Sequence, residues 1–127
     1  MSTKYQPIPP RRVLKEQLLD ERRVVGIDGK VHQCEGQAFK KHECSGGLHM
    51  NEVFVTRRDV QGIQPASRRE KIITDERNCS IVCGNFHWGY GHSRRFREWF
   101  EDVQRERYPN LQEYLSRTWS ILTKLGS

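Results

Sequence analysis

Between Asn78 and His92 the chain reads NCSIVCGNFHWGYGH, gathering an asparagine, two cysteines and two histidines into one short segment. Side chains of these types at this density leave two outcomes: a metal centre, or an irregular buried turn that uses them as hydrogen-bonding and space-filling groups. Composition bears on the choice. A chain of 127 residues suits one domain and one core, and only 35% of it is hydrophobic against 30% charged. With so large a polar surface relative to the core, a metal or a partner has room to contribute to holding the fold.

Charge points to the kind of partner. Lysine and arginine number 22 against 16 acidic residues, a net charge of +6, and arginine recurs in PRR, ERR, TRRD, SRRE and SRRFR. Guanidinium forks match phosphate oxygens, so DNA is the expected partner. Arg57, Arg58, Arg68, Arg69, Arg94, Arg95 and Arg97 are the candidates for backbone contacts, which confer affinity without sequence preference. A solvated, salt-bridged surface is the competing account of the same residues. No run approaches the roughly 18 apolar residues of a membrane span. MSTKYQPIPPRR lacks the apolar centre of a signal peptide, so a cytoplasmic protein without membrane contact is expected. In that reducing setting Cys34, Cys44, Cys79 and Cys83 are expected free or metal-bound instead of disulfide-linked.

Along the chain, PIPP ends an extended, flexible arm over residues 1–10. A short helix with Val13, Leu14, Leu18 and Leu19 on one face follows, and GIDGKVHQ then breaks it into a turn between short extended pieces. Apolar and β-branched residues after Gly46-Gly47 predict a strand from Leu48 to Val55, with Leu48, Met50, Glu52 and Phe54 on one face and His49, Asn51, Val53 and Val55 on the other. Gly62 and Pro65 mark the polar stretch TRRDVQGIQPASRRE as a loop. Phe96, Trp99, Phe100 and Val103, then Leu111, Tyr114, Leu115, Thr118, Trp119 and Leu122, recur at helical spacing and predict two amphipathic helices whose aromatic stripe is core. Asn110 and Glu113 have the spacing of a capping box for the second.

The segment from Asn78 resembles the second half of the HNH, or ββα-metal, nuclease motif, N-x4-C-x2-C-H-x3-H. Cys83 stands at +5, His87 at +9 and His92 at +14, the last one residue later than the pattern. Upstream, LHMNEV is similar to the family's first strand, with Asn51 at the metal-ligand position and Glu52 at the general-base position, neither being the usual residue there. The resemblance covers about residues 44–100 and leaves both ends unexplained. The ββα-metal core that it implies, joined to the helices expected from apolar spacing, gives an expected single α+β domain over 11–127: an N-terminal helix, the core, and a C-terminal helical extension over about 93–125, packed through Trp99, Phe100, Tyr114 and Trp119.

The activity so implied is hydrolysis of DNA phosphodiester bonds by an endonuclease using one divalent ion, Mg2+, Mn2+, Ni2+ or Zn2+. His87 would hold the ion with His92 or Asn51 assisting, Asn78 would orient the active groups, and Glu52 or His49, which shares the strand face of Asn51, would activate water. Small proteins of this kind accompany phage packaging or recombination in bacterial hosts, which sets an expected context and expected protein partners. Many relatives also carry a structural zinc on paired C-x2-C knuckles. Here Phe86 breaks the downstream pair and Cys34-x9-Cys44 replaces the upstream one. A site drawing His42 or Cys34 together with Cys44, Cys79 and Cys83 stays open, but burial as small apolar groups is the favoured expectation, and His32 and His42 are expected in surface or structural roles. Two further classes remain: a catalytically silent nucleic-acid-binding or packaging accessory, which Asn51 favours, and a zinc module that binds protein or RNA.

Overall fold

The structure, a computed structural model, describes residues 10–125. The expected arm lies outside that range except for Pro10, which opens α1 (Pro10–Glu21) at the turn where a missing N–H costs nothing. Leu18 is fully buried beneath α1 and Leu14 and Leu19 partly so, whereas Val13 turns outward, so the apolar face is narrower than expected. A hairpin of β1 (Val24–Val25) and β2 (Val31–His32) follows. Its turn is tied by His32, whose Nε2 lies 3.0 Å from the Asp28 carboxylate. α2 (Gly36–Phe39) then leads into the loop that carries His42 and Cys44.

The central element is an antiparallel pair, β3 (Leu48–Glu52) against β4 (Cys79–Cys83), in register Leu48↔Cys83 and Glu52↔Cys79. β3 ends three residues before the expected Val55, and Asn78 is the reason. Its Oδ1 accepts the N–H groups of Phe54 and Val55 at 2.9 and 2.8 Å, and its Nδ2 donates to the carbonyls of Val55 and Ile73 at 2.7 and 3.0 Å. A buried asparagine thus takes the place of the next ladder partner and uses every donor and acceptor it has.

The stretch expected as a loop after Thr56 is largely helical: α3 (Arg57–Val60) and α4 (Ala66–Ile73) flank a short connection. Thr56 and Asp59 form a reciprocal capping box that stabilises α3 without an apolar period long enough to read, and Val60, Ile63 and Ile73 anchor both helices in the core. α5 (Gly84–Gly89) continues directly from β4. α6 (Arg94–Arg107) starts where the Ser93 hydroxyl accepts the Phe96 N–H at 3.2 Å, and α7 (Leu111–Leu125) follows Asn110.

The helices and the two small antiparallel sheets therefore form a mixed α+β fold. One face of the β3–β4 pair packs with α6 and α7 around Val82, Phe86, Phe96, Phe100 and Leu115, where Phe96 stacks on Phe100 at 5.7 Å. A smaller cluster of Leu18, Met50, Cys79 and Ile81 sits under α1. Trp119, expected in the helical core, is 38% exposed, whereas Thr118 of the same expected face is buried, as is Gln104. Gln104 donates to the carbonyls of Glu76 and Arg77, both at 3.1 Å, which accounts for a polar residue there. No helix among the described residues is long and apolar enough to cross a membrane.

Candidate metal centres

Ligand-type side chains gather at two places along the β4–α5 segment, around Cys83 at the junction and around His87 within α5, and among the described residues only the first group brings all its ligand atoms close together. The first joins Cys34, just before α2, with His42 and Cys44 from the following loop and Cys83 at the end of β4; their ligand atoms all lie within 4.8 Å of one another. Backbone contact brings the loop in. Gly46 has φ +81°, a conformation that favours glycine, and Gly84 faces it so closely that a Cβ there would stand 2.9 Å from the Gly46 carbonyl oxygen. Hydrogen bonds from Gly84 N–H to Gly47 O at 2.9 Å and from Asn85 N–H to Ser45 O at 3.0 Å then hold Cys44 beside Cys83.

His42 Nε2 is 3.5 Å from Cys34 Sγ, 3.6 Å from Cys44 Sγ and 3.5 Å from Cys83 Sγ. A tetrahedral ion with metal–sulfur bonds of about 2.3 Å and a metal–nitrogen bond of about 2.0 Å sets sulfur and nitrogen roughly 3.5 Å apart. The tautomer is also prepared: His42 Nδ1 donates to Lys40 O at 2.6 Å, which leaves the Nε2 lone pair facing the three sulfurs. Amide donors surround the sulfurs as well, with Cys83 N–H to Cys34 Sγ at 3.2 Å, Phe86 N–H to Cys83 Sγ at 3.4 Å and Gln37 Nε2 to Cys44 Sγ at 3.2 Å. Burial pushes the Cys34 thiol up to about 12 and raises that of Cys44. At Cys83 burial acts in the same direction, but hydrogen bonds from Phe86, Ser45 and the neighbouring thiols outweigh it and its pKa falls. The cluster could therefore hold a metal ion.

Cys79 does not join. It is at the opposite end of β4 from Cys83, about 13 Å away at the rise of a strand. Its thiol lies in the small core under α1 and donates to Ile73 O at 3.3 Å, and burial raises its pKa. His42, expected in a surface or structural role, takes the place assigned to Cys79. The signal available in the sequence was its position two residues before Cys44.

The second cluster is built from β3, α5 and the turn after α5. The strand alternation places His49 and Asn51 toward α5, while Met50 and Glu52 face α1, where Glu52 pairs with Arg11. His49 Nδ1 lies 3.0 Å from His87 Nδ1, and the His87 and His92 rings are centred 5.4 Å apart. His49 Nε2 donates to Gly46 O at 3.1 Å, so its Nδ1 presents a lone pair. Burial, followed by the fields of His92 and His49, lowers the His87 pKa, and the field of Glu52 works the other way. Asn51 is fully buried. Its Nδ2 donates to Gly91 O at 2.9 Å, and its Oδ1 has no partner among the described residues. Asn78 reaches this region only through the backbone it clamps after β3.

Of the expected phosphate-contacting arginines, Arg57 pairs with Glu70 and Arg94 with Glu98, and Arg69 donates to Ile63 O at 2.7 Å. Arg58, Arg68, Arg95 and Arg97 are exposed. No protein-family model, curated protein or solved structure matches this chain.

Proposed function

We propose that the chain is a divalent-metal-dependent nuclease of the ββα-metal type, with β3, β4 and α5 as the ββα unit. The observation that carries this reading is the 3.0 Å approach of His49 Nδ1 on β3 to His87 Nδ1 on α5, with the His92 ring centred 5.4 Å from that of His87 and the orphaned Oδ1 of buried Asn51 two residues along the strand from His49. The donor set suits a hard or borderline ion: two nitrogens bound at about 2.1 Å in adjacent octahedral positions are roughly 3.0 Å apart, and an unpartnered amide oxygen adds a neutral oxygen ligand.

An ion held by His87 with His92, Asn51 or His49 would supply positive charge to the scissile phosphate. The residues themselves divide the remaining work. Where His92 or Asn51 completes the ion's ligands, the His49 Nδ1 lone pair is left free, with its tautomer fixed by Gly46 O, to accept a proton from water. Burial, which lowers the His87 pKa, favours the neutral ring that a metal ligand needs. Asn78 fixes the turn after β3 and hence the strand end that carries Asn51. Glu52, engaged by Arg11, is the less suitable base. Exposed arginines supply phosphate affinity.

At the thiol cluster we assign zinc, because three sulfurs and one imidazole at tetrahedral spacing are its usual structural set. The test incubates purified protein with supercoiled plasmid and with single-stranded DNA across magnesium, manganese, nickel and zinc, with His87→Ala as control. Metal-dependent nicking that His87→Ala abolishes is the expected result; no cleavage with any ion overturns the reading. The pairing of Glu52 with Arg11 favours a second reading, a catalytically silent nucleic-acid-binding or packaging accessory, in which DNA is bound and never cut.

A further inference from the structure

We infer that Trp88 is a stacking platform for an unpaired base, and that the strand presented to the histidine cluster is single-stranded nucleic acid; the second clause rests on the nuclease reading above. Trp88 is 83% exposed, an unusual position for the largest apolar side chain in a protein whose other described aromatic residues mostly pack inward. Its indole lies nearly parallel to the His87 ring, 15° between planes with centroids 5.3 Å apart, and so extends the histidine face with a flat surface toward solvent.

Charge completes the surface. Two residues beyond Trp88, Tyr90 carries the Lys40 ammonium over its ring at 4.2 Å, and Lys40 Nζ also donates to the Tyr90 hydroxyl at 2.7 Å. The two residues border a cavity of about 270 Å³ lined by Phe39, Lys40, Tyr90, Ser93, Arg94 and Arg95. Aromatic walls with a cationic rim suit one nucleotide, with its base against Phe39 and Tyr90 and its phosphate toward Lys40 and Arg95. Arg94 is engaged with Glu98 at 2.9 Å. Stacking surfaces along a positively charged path are what unpaired strands need, because every base has a free π-face there. In a duplex those faces are covered by neighbouring bases, and exposing one requires unstacking.

The test measures binding of fluorescein-labelled oligo-dT, oligo-rU and a duplex of equal length to the protein as purified, without added magnesium. Wild type, Trp88→Ala, Trp88→Phe and His87→Ala are compared by anisotropy and tryptophan emission. The expected result is tighter binding of the single strands than of the duplex, with quenching. Trp88→Ala should weaken single-strand binding about tenfold, the scale of one base–aromatic stack, with Trp88→Phe restoring most of it and duplex binding unchanged. Equal affinity for duplex and single strand, or a neutral Trp88→Ala, overturns the inference. The two claims separate in the plasmid assay. Trp88-dependent binding of single strands without cleavage by any ion refutes the nuclease and leaves the platform standing, whereas metal-dependent cleavage with single-strand binding and single-strand cleavage both unchanged in Trp88→Ala does the reverse.

Discussion

The thiol cluster and the histidine cluster are positioned by the same short segment, β4 running into α5, yet they are built in opposite ways. Around Cys34, His42, Cys44 and Cys83 the backbone supplies amide donors to the sulfurs, fixes the imidazole tautomer and packs Gly46 on Gly84, so the ligands stand at bonding geometry beforehand. Around His49, His87 and His92 only one pair of nitrogens is close, His92 is exposed, and a buried amide oxygen remains unsatisfied. A closed, fully specified ligand set suits permanent structural metal, and an open one suits an ion that must also meet a substrate.

The largest effect should come from breaking the closed cluster. Cys83→Ala is expected to lose stoichiometric zinc and to lower the melting temperature by more than about 10 °C, since metal binding and folding are one process in small thiolate domains; elemental analysis and calorimetry on the same sample check it. Retained zinc would remove the contrast. Next is Asn78→Ala, which removes the side-chain partner of the buried Phe54 and Val55 N–H groups and of the Val55 carbonyl and should cost about 3 kcal/mol in denaturant unfolding, with zinc content unchanged. Cys79→Ala sharpens the assignment of ligands: one zinc per chain should remain and stability should fall by only about 1–2 kcal/mol, the scale of a small buried truncation.

The smallest effect is a pH dependence confined to the open cluster. His87 has its pKa lowered from the ordinary 6.5, chiefly by burial. Between the two values the unfolded chain binds the extra proton, so this contribution to stability is intact above about pH 6.5, declines as pH falls and levels off below the folded pKa. Unfolding midpoints measured from neutral to mildly acidic pH should therefore slope less in His87→Gln than in wild type, and equal slopes would show that the ring is not desolvated.

Helices α6 and α7 were legible in the sequence because Phe96, Phe100, Leu111, Tyr114 and Leu115 repeat at helical spacing and all are buried. The two faces of β3 were legible for the same reason, with strand alternation in place of helical period. α3 and α4 were not. They are held by a capping box and single anchors such as Val60 and Ile73, so no stripe announces them. The thiol cluster was half legible: cysteine count and compartment admitted metal, but whether Cys79 or His42 supplied the fourth ligand depended on which end of β4 the loop at Gly46 approaches. That is a tertiary contact between glycines, and no local spacing encodes it.

The placement of the four thiol-cluster ligands also bears on the order of assembly. Cys34, His42 and Cys44 are near neighbours along the chain, so an ion can be carried by this stretch while the rest is unfolded. Cys83 is far downstream and arrives only when β4 pairs with β3. A bond from Cys83 to an ion held there would then coincide with closure of the long connection between the strands, the entropically slow step for a non-local pairing. Refolding of the metal-loaded chain should therefore start from a preloaded N-terminal hook, and its rate should report how often that hook captures one downstream thiolate.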